Sequence, residues 1–388
     1  MRNRQPKHIV VADHLRRRIS SGHYPAGASL PGRRLLASEY AVAQMTIQSA
    51  IDDLVGEGLL RTENGRGTYV SATSCVSHTK ADVSDGVGLG LVGILARVYP
   101  NRPESAKSTS DAVIEELERI ISTAKGSSVY YNIYRPDLSI IPLADSVSRL
   151  IEHGVNGIVV VNEHDTAQIN ELISRELHGR VPIVFATGHR VLSRVSCAYF
   201  DNKAWGRTVA RHLLERGCRR LLAFAPKTST WMTDRIEGAR EAIAESGLPQ
   251  SVLTELVGSE RVSVPRFAPE ADFAWSTMES FEFASRAITA DIGFDGVMAG
   301  NDCYALGFAK AVEHLGLQAG RDYALVGFDN SAEARNERLS SVQRPIGLLA
   351  ASSIGLLSRL LSGEQGPLAE GVDAGVVVRH SSMVPLSS

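Results

Sequence analysis

From residue 87 onward, short apolar runs alternate with stretches in which apolar residues recur every three or four positions. The runs predict strands over 91–96, 128–134, 157–161, 182–185, 196–200, 220–224, 255–257, 296–299, 323–328 and 376–378. The amphipathic stretches between them predict helices near 111–125, 143–153, 166–177, 203–216, 232–246, 276–290, 302–315 and 347–362. Repeated strand-then-helix units imply parallel sheets covered by helices on both faces. So many units exceed one modest sheet, so the pattern predicts two doubly wound lobes with a cleft between them. Ligands in such folds sit outside the carboxyl ends of the strands.

The first seventy residues follow another rhythm. Val11, Leu15 and Ile19 mark one helix, and Gly22, Pro25 and Gly27 turn the chain into Leu30-Pro31. A longer helix is predicted over 44–57, with Ile47, Ala50, Ile51 and Leu54 on the face to be buried. Its other face carries Gln44, Met45, Gln48 and Ser49. Asn64-Gly65 between two β-prone runs predicts a hairpin with Arg66 at its tip. Helix, turn, helix and a cationic wing suit a DNA major groove, although a small helical subdomain with a solvated hairpin fits the same pattern.

Charge favours the first reading. The formal net charge is −2, yet residues 1–70 hold ten Lys/Arg against six Asp/Glu, leaving 31 against 37 in the remainder. A cationic head on an anionic body fits a polyanionic partner touched by the head. Hydrophobic content of 44% and charged content of 22% are ordinary for a soluble globular chain. Cys75, Cys197, Cys218 and Cys303 are scattered, without disulfide or metal spacing, and read as reduced thiols in a cytoplasmic protein. Neither an export signal nor a transmembrane run is evident, so no membrane partner is expected. Residues 71–86 are small, polar and aperiodic, as a linker would be. The expected domains are therefore 1–71, a linker over 72–86, and 87–388.

Leu30-Pro31, Leu36-Ala37, Thr46-Ile47, Ala50-x-x-x-Leu54-x-x-x-Gly58-Leu59 and Gly65-Arg66-Gly67-Thr68-Tyr69-Val70 resemble the GntR-type winged helix, over residues 8–71. The resemblance implies that Gln44, Met45 and Gln48 read bases, that Arg33, Arg34 and Thr46 hold phosphates, and that Arg66 approaches the minor groove. This chain departs from the family at Ala43-Gln44, where Ser-Arg is usual, at Gln48 and at Gly32-Arg33-Arg34. Gln suits adenine where Arg suits guanine, so the base readout changes.

Further on, Val155-Asn156-Gly157-Ile158-Val159, Asp201-Asn202, Arg235-x-x-Gly238, Gly300-Asn301-Asp302 and Val326-Gly327-Phe328-Asp329-Asn330 resemble the LacI-type effector domain. So does Ser340-Ser341-Val342-Gln343-Arg344-Pro345, and the resemblance spans about 88–382. Together the two halves look like an arabinose-repressor-like architecture. It implies that Arg235, Asn301, Asp302 and Asp329 reach a sugar-like effector, Arg235 through its planar fork of donors. Each has a plainer reading: an ion pair with Asp234 or Glu237 for Arg235, and helix capping for Asn301 and Asp302. Thr187 stands where the family sometimes has a carboxylate. Trp275, Tyr99 and His164 are further candidates for the cleft wall.

Gly88-x-Gly90-x-x-Gly93 imitates a dinucleotide fingerprint but enters a strand instead of leaving one. No P-loop, HExxH or GxSxG motif is present, so no catalytic residue, metal or cofactor is assigned. The expectation is an α/β, cytoplasmic, homodimeric regulator, a repressor, that binds double-stranded operator DNA and responds to a small sugar-like effector. The alternatives are a doubly wound enzyme with an appended DNA-binding head and a solute-binding protein.

Overall fold

In a computed structural model the chain divides into two compact units, residues 1–82 and 83–388. The structure describes residues 8, 11, 12, 15, 29–33, 36, 37, 40, 42–56, 60–63, 67–70, 88–98, 108–133, 139–163, 165–259, 269–288 and 292–383. The division falls inside the expected linker.

In the first unit, α1 (Gln44–Gly56) presents the predicted stripe. Ile47, Ala50, Ile51 and Leu54 are buried with Val11, Leu15, Leu36 and Leu60 in one core. The wing is β1 (Leu60–Glu63) and β2 (Gly67–Val70), antiparallel, with Leu60 opposite Val70 and Glu63 opposite Gly67. Leu30 N–H donates to Thr68 O at 2.8 Å, which ties the segment just before Pro31 to the wing. Arg34 and Arg66 lie outside the described residues.

The second unit holds two six-stranded sheets. The first lobe has β3 (Leu91–Ala96), β4 (Ser127–Asn132), β5 (Gly157–Val161), β6 (Ile183–Thr187), β7 (Ser196–Phe200) and β13 (Ala369–Val372), in the order 13-7-6-5-3-4. Every pairing in it is parallel. The second has β8 (Leu221–Ala225), β9 (Leu253–Val257), β10 (Gly296–Ala299), β11 (Ala324–Asp329), β12 (Ser340–Gln343) and β14 (Val376–Val377), in the order 14-12-11-10-8-9. Only its edge pairing, β12 with β14, is antiparallel. Central strands such as β5 (GIVVV) and β8 (LLAFA) are buried along their whole length, as sheets covered on both faces require.

Helices α2 (Thr109–Thr123), α3 (Leu143–Glu152), α4 (Thr166–Ser174), α5 (Asn202–Glu215), α6 (Thr230–Glu245), α7 (Pro269–Ala287), α8 (Asp302–Glu313), the short α9 (Ala332–Asn336) and α10 (Ile346–Leu361) connect the strands. Among the described residues the chain passes between lobes three times: from β7 into α5, from β12 into α10, and from β13 to β14. Helix α10 packs on the first lobe, where Leu357 fills the space that a Cβ at Gly157 would need.

Most strand and helix positions match the sequence pattern to within a residue or two. Two strands depart from it. SSVQ in β12 and AEGV in β13 carry no apolar run, yet each continues a parallel sheet. Ser340 in β12 is satisfied locally: its Oγ donates to Arg379 O at 3.0 Å and its N–H donates to Ser381 Oγ at 2.8 Å. Helix α7 also begins well before its expected start.

Helices α5 and α6 lie unusually close. A Cβ at Gly206 would stand 1.9 Å from Arg235 O, and one at Gly238 would stand 1.8 Å from Lys203 O. Both obstacles are backbone, so neither can swing aside. Outside this contact Lys203 pairs with Glu237 and Glu241, Arg207 with Glu241, and Arg211 with Glu245. These exposed pairs contribute little next to the packing. Gly206→Ala should therefore destabilise the second unit by about 1–3 kcal/mol, read as a lower urea midpoint. An unchanged midpoint would show that the two helices separate freely.

Candidate ligand-binding cleft

A cavity of about 790 Å³ lies at the carboxyl ends of both sheets. The first lobe contributes Thr109, Ser110, Asn162, Thr187, His189 and Phe200 to its lining, and the second Trp205, Trp231, Asp234, Arg235, Asn301 and Asp329. Asn202 and Arg344, on segments that pass between the lobes, also line it.

Arg235 is its centre. Helix α6 starts at Thr230, earlier than the sequence suggests, with Ser229 Oγ accepting from Met232 N–H at 3.2 Å as cap. Arg235 thus sits beyond the first turn and is 5% exposed. Its Nε donates to Asn202 Oδ1 at 2.9 Å and its Nη1 to Gly300 O. The guanidinium carbon lies 3.9 Å from the Phe328 ring centre, 4.8 Å from Trp231 and 5.6 Å from Trp205. Aromatic faces and two acceptors replace the water that burial removes. Burial pushes its pKa down to about 9, against the pull of Asp329, so it stays a cation at neutral pH. Of the two ion-pair partners in the plainer reading, Glu237 is held by Lys203 at 2.9 Å, while Asp234 acts on Arg235 through its nearby charge.

Asp329 ends β11 with φ 110, a strained conformation for a residue with a Cβ. Its Oδ1 accepts from Arg344 Nε and Nη2, each at 2.7 Å. Arg344 Nη1 donates to Thr109 Oγ1 at the start of α2, so one guanidinium joins the two lobes.

Asn301 lines the cavity and also caps α8, its Oδ1 accepting from Tyr304 N–H at 2.8 Å. Asp302 turns the other way. It is 1% exposed, its Oδ1 accepts from Ser341 Oγ at 2.7 Å, and its Oδ2 accepts from Ser331 N–H at 2.8 Å. A Cβ at Gly327 would come within 2.4 Å of that Oδ1, so glycine is required behind it. The structure therefore assigns Asp302 to internal packing and not to the cavity wall. Thr187 lines the cavity, but its hydroxyl donates to His189 O at 2.7 Å. Burial pulls the His189 pKa down.

Tyr99 and His164 lie outside the described residues, and Trp275 falls in α7 with its side chain outside them. The described indoles of the cavity are Trp231 and Trp205. Trp231 stands four residues before Arg235, one helical turn away, and that spacing after a Ser cap was a usable signal. Arg344 belongs to the Ser340-Ser341-Val342-Gln343-Arg344-Pro345 motif, whose spacing alone gives it no role.

In the head, Arg33, Gln44 and Met45 are exposed, Met45 at 76%. Thr46 and Gln48 are partly exposed, and Gln48 Nε2 donates to Asp52 Oδ1 at 2.6 Å. Of the residues expected to read bases, Met45 faces away from the buried stripe of α1, Gln44 is exposed at its first turn, and Gln48 flanks the stripe.

Fold and cavity define a class: a two-lobed ligand-binding module preceded by a helix-turn-helix head. Comparison with known proteins narrows it. Residues 9–70 match the bacterial regulatory proteins of the gntR family. Residues 140–263 match the periplasmic binding proteins and sugar binding domain of the LacI family, and 210–382 a periplasmic binding protein-like domain. The arabinose metabolism transcriptional repressor of Geobacillus stearothermophilus is 21% identical over 351 residues, 88% of this chain and 87% of that protein. The HTH-type transcriptional regulator reg1 of Streptomyces lividans is 29% identical over 233 residues, 58% of this chain and 63% of that protein. An uncharacterized HTH-type regulator of Streptomyces limosus is 28% identical over 54% of this chain and 58% of its own length. The chain thus spans about six-tenths of these two Streptomyces relatives. Among solved structures, the Lac repressor bound to ONPG is 18% identical with TM-score 0.57, over 87% of this chain and 90% of its own. A LacI family regulator from Enterococcus faecium with bound ribose is 20% identical with TM-score 0.52, over 76% and 100%. By these matches the chain carries a region similar to the gntR-type helix-turn-helix followed by a region similar to LacI-type, periplasmic-binding-protein-like domains.

Asp302 generates a pH prediction. Burial, with the nearby charge of Asp329, pushes its pKa up to about 7. An unfolded aspartate ionises near pH ~4, so the folded chain holds a proton that the unfolded chain has released. This group therefore favours the folded state at low pH, and its contribution is lost as pH rises from about 4 to about 7. Urea midpoints of Asp302→Asn should lack that part of the slope; an identical pH profile would contradict the burial argument.

Proposed function

We propose that this protein represses transcription by binding an operator duplex through its gntR-type head, and that a small polar, sugar-like effector in the cleft switches that binding. The observation that carries the reading is Arg235: a nearly buried cation, clamped by aromatic faces, on a cavity at the carboxyl ends of two facing sheets. A fork of fixed donors on the wall of a cleft suits vicinal oxygens. The ribose-bound and ONPG-bound relatives lend weight to a sugar-like ligand. Binding without turnover is expected, since the relatives named above are regulators. The reader works in the cytoplasm, where its DNA is.

The head would place α1 in the major groove, with Gln44, Met45 and Gln48 toward bases, Arg33, Arg34 and Thr46 toward phosphates, and Arg66 beside the minor groove. One Lac repressor structure is a dimer bound to operator, and the same arrangement is proposed here. Effector would close the lobes, shift how two protomers meet, and so change the reach of two heads across half-sites. A coupling of about 1–3 kcal/mol alters DNA affinity about 5–150-fold.

Two experiments bear on the two ends. Arg235→Ala should abolish effector binding by calorimetry while operator affinity at fixed salt stays unchanged; normal effector binding would remove the cleft from the mechanism. Gln44→Ala should relax preference at one base position by about 1–3 kcal/mol in a randomised-operator survey. An unaltered preference would exclude Gln44 as a base reader.

A further inference from the structure

The outward side of α1 carries a carboxylate where a DNA partner would bring negative charge. Asp52 is exposed, one helical turn beyond Gln48, and its Oδ1 accepts from Gln48 Nε2 at 2.6 Å. Ser49, between them in the chain, spends its hydroxyl hydrogen on Met45 O at 3.1 Å and leaves that carboxylate to Gln48. A carboxylate only accepts, so the end of the amide turned to it is the nitrogen end. The carbonyl end, Oε1, is then turned away from Asp52, and one of the two Nε2 hydrogens is already spent. Gln48 is left with an acceptor and a single donor, side by side, to offer a partner.

We infer that Asp52 is a positioning residue for base recognition: it holds the Gln48 amide so that α1 reads adenine at one position and refuses guanine there. This rests on the proposal that α1 enters the major groove. Adenine shows an amino donor at N6 beside an acceptor at N7, the complement of what Gln48 retains. Guanine shows two acceptors, O6 and N7, and an amide grips both only with both of its Nε2 hydrogens. Cytosine offers N4 alone and thymine O4 alone, so each leaves one group of the amide unmatched. The bond between Gln48 and Asp52 is weak in open water and strengthens where the groove excludes water. The carboxylate also repels phosphates, which lowers affinity for every sequence alike. Asp52 therefore trades overall affinity for discrimination at one base, without touching that base.

The test uses the full chain and a library of randomised duplexes at fixed salt, with the bound sequences counted. Wild type should enrich adenine over guanine at one position by at least about tenfold, and Gln48→Ala should flatten that position alone. Asp52→Ala should cut the same preference by at least about threefold. It should also tighten binding to non-specific duplex, because a negative charge is gone. Asp52→Glu, which keeps an acceptor one turn away, should retain most of the preference. In a Gln48→Ala background, Asp52→Ala should alter no base preference further. A carboxylate that acted only on helix stability or on overall charge would shift affinity for all sequences together. An unchanged preference in Asp52→Ala therefore overturns the inference and leaves α1 as the reader. Guanine favoured at the position that depends on Gln48 overturns it too. So does a change at another position in Asp52→Ala that persists without Gln48, because Asp52 would then meet a base itself. If wild type enriches no sequence, the groove reading and this inference fall together.

Discussion

A guanidinium removed from water has to be surrounded on every side, and in this protein meeting that demand shapes the larger unit. Arg235 is bonded to Asn202, where the chain first passes between lobes, and to Gly300, at the end of β10. Its faces are covered by Phe328 from β11 and by Trp231 from its own helix. Leaving such a charge without these partners would cost several kcal/mol. The same demand reaches outward to Gly206 and Gly238, because α6 can bring Arg235 to this point only if α5 offers no side chain in between.

A second cation does for the connection between lobes what the first does for the cavity floor. Arg344 holds Asp329 in one lobe and Thr109 in the other. Such a contact ties both lobes through one side chain and is a natural place for a ligand to bias an equilibrium. The proposed switch depends on that property, since an effector shifts a conformational balance only by the difference in its affinity for the two states. In the proposed function the gntR-type head would supply the output, and with Ile47, Ala50, Ile51 and Leu54 buried, Gln44 and Met45 stay exposed.

Much of this was legible in the sequence because burial on both faces writes a strand as an unbroken apolar run, as in GIVVV and LLAFA. Strands β12 and β13 were not legible: their serines, glutamine and glutamate suit edges or local hydrogen bonds, so no run marks them. At the cleft, Arg235 and Asn301 could be anticipated from motif and position. Asp302 could not be separated from Asn301, because adjacent residues at a helix start point in different directions only once the backbone is known. Arg344 was hidden for a related reason: its two partners are Asp329, fifteen residues away, and Thr109, brought near by the fold alone.

Tryptophan fluorescence is the most direct test of the claim that ligand sits against Arg235 between the lobes. Trp231 stacks on that guanidinium and lines the cavity, so ligand should change its emission in a saturable way. The prediction is that Trp231→Phe loses most of that change while calorimetry still detects binding. The same fluorescence change in wild type and Trp231→Phe, at the same ligand concentration, would place the ligand elsewhere and contradict the claim.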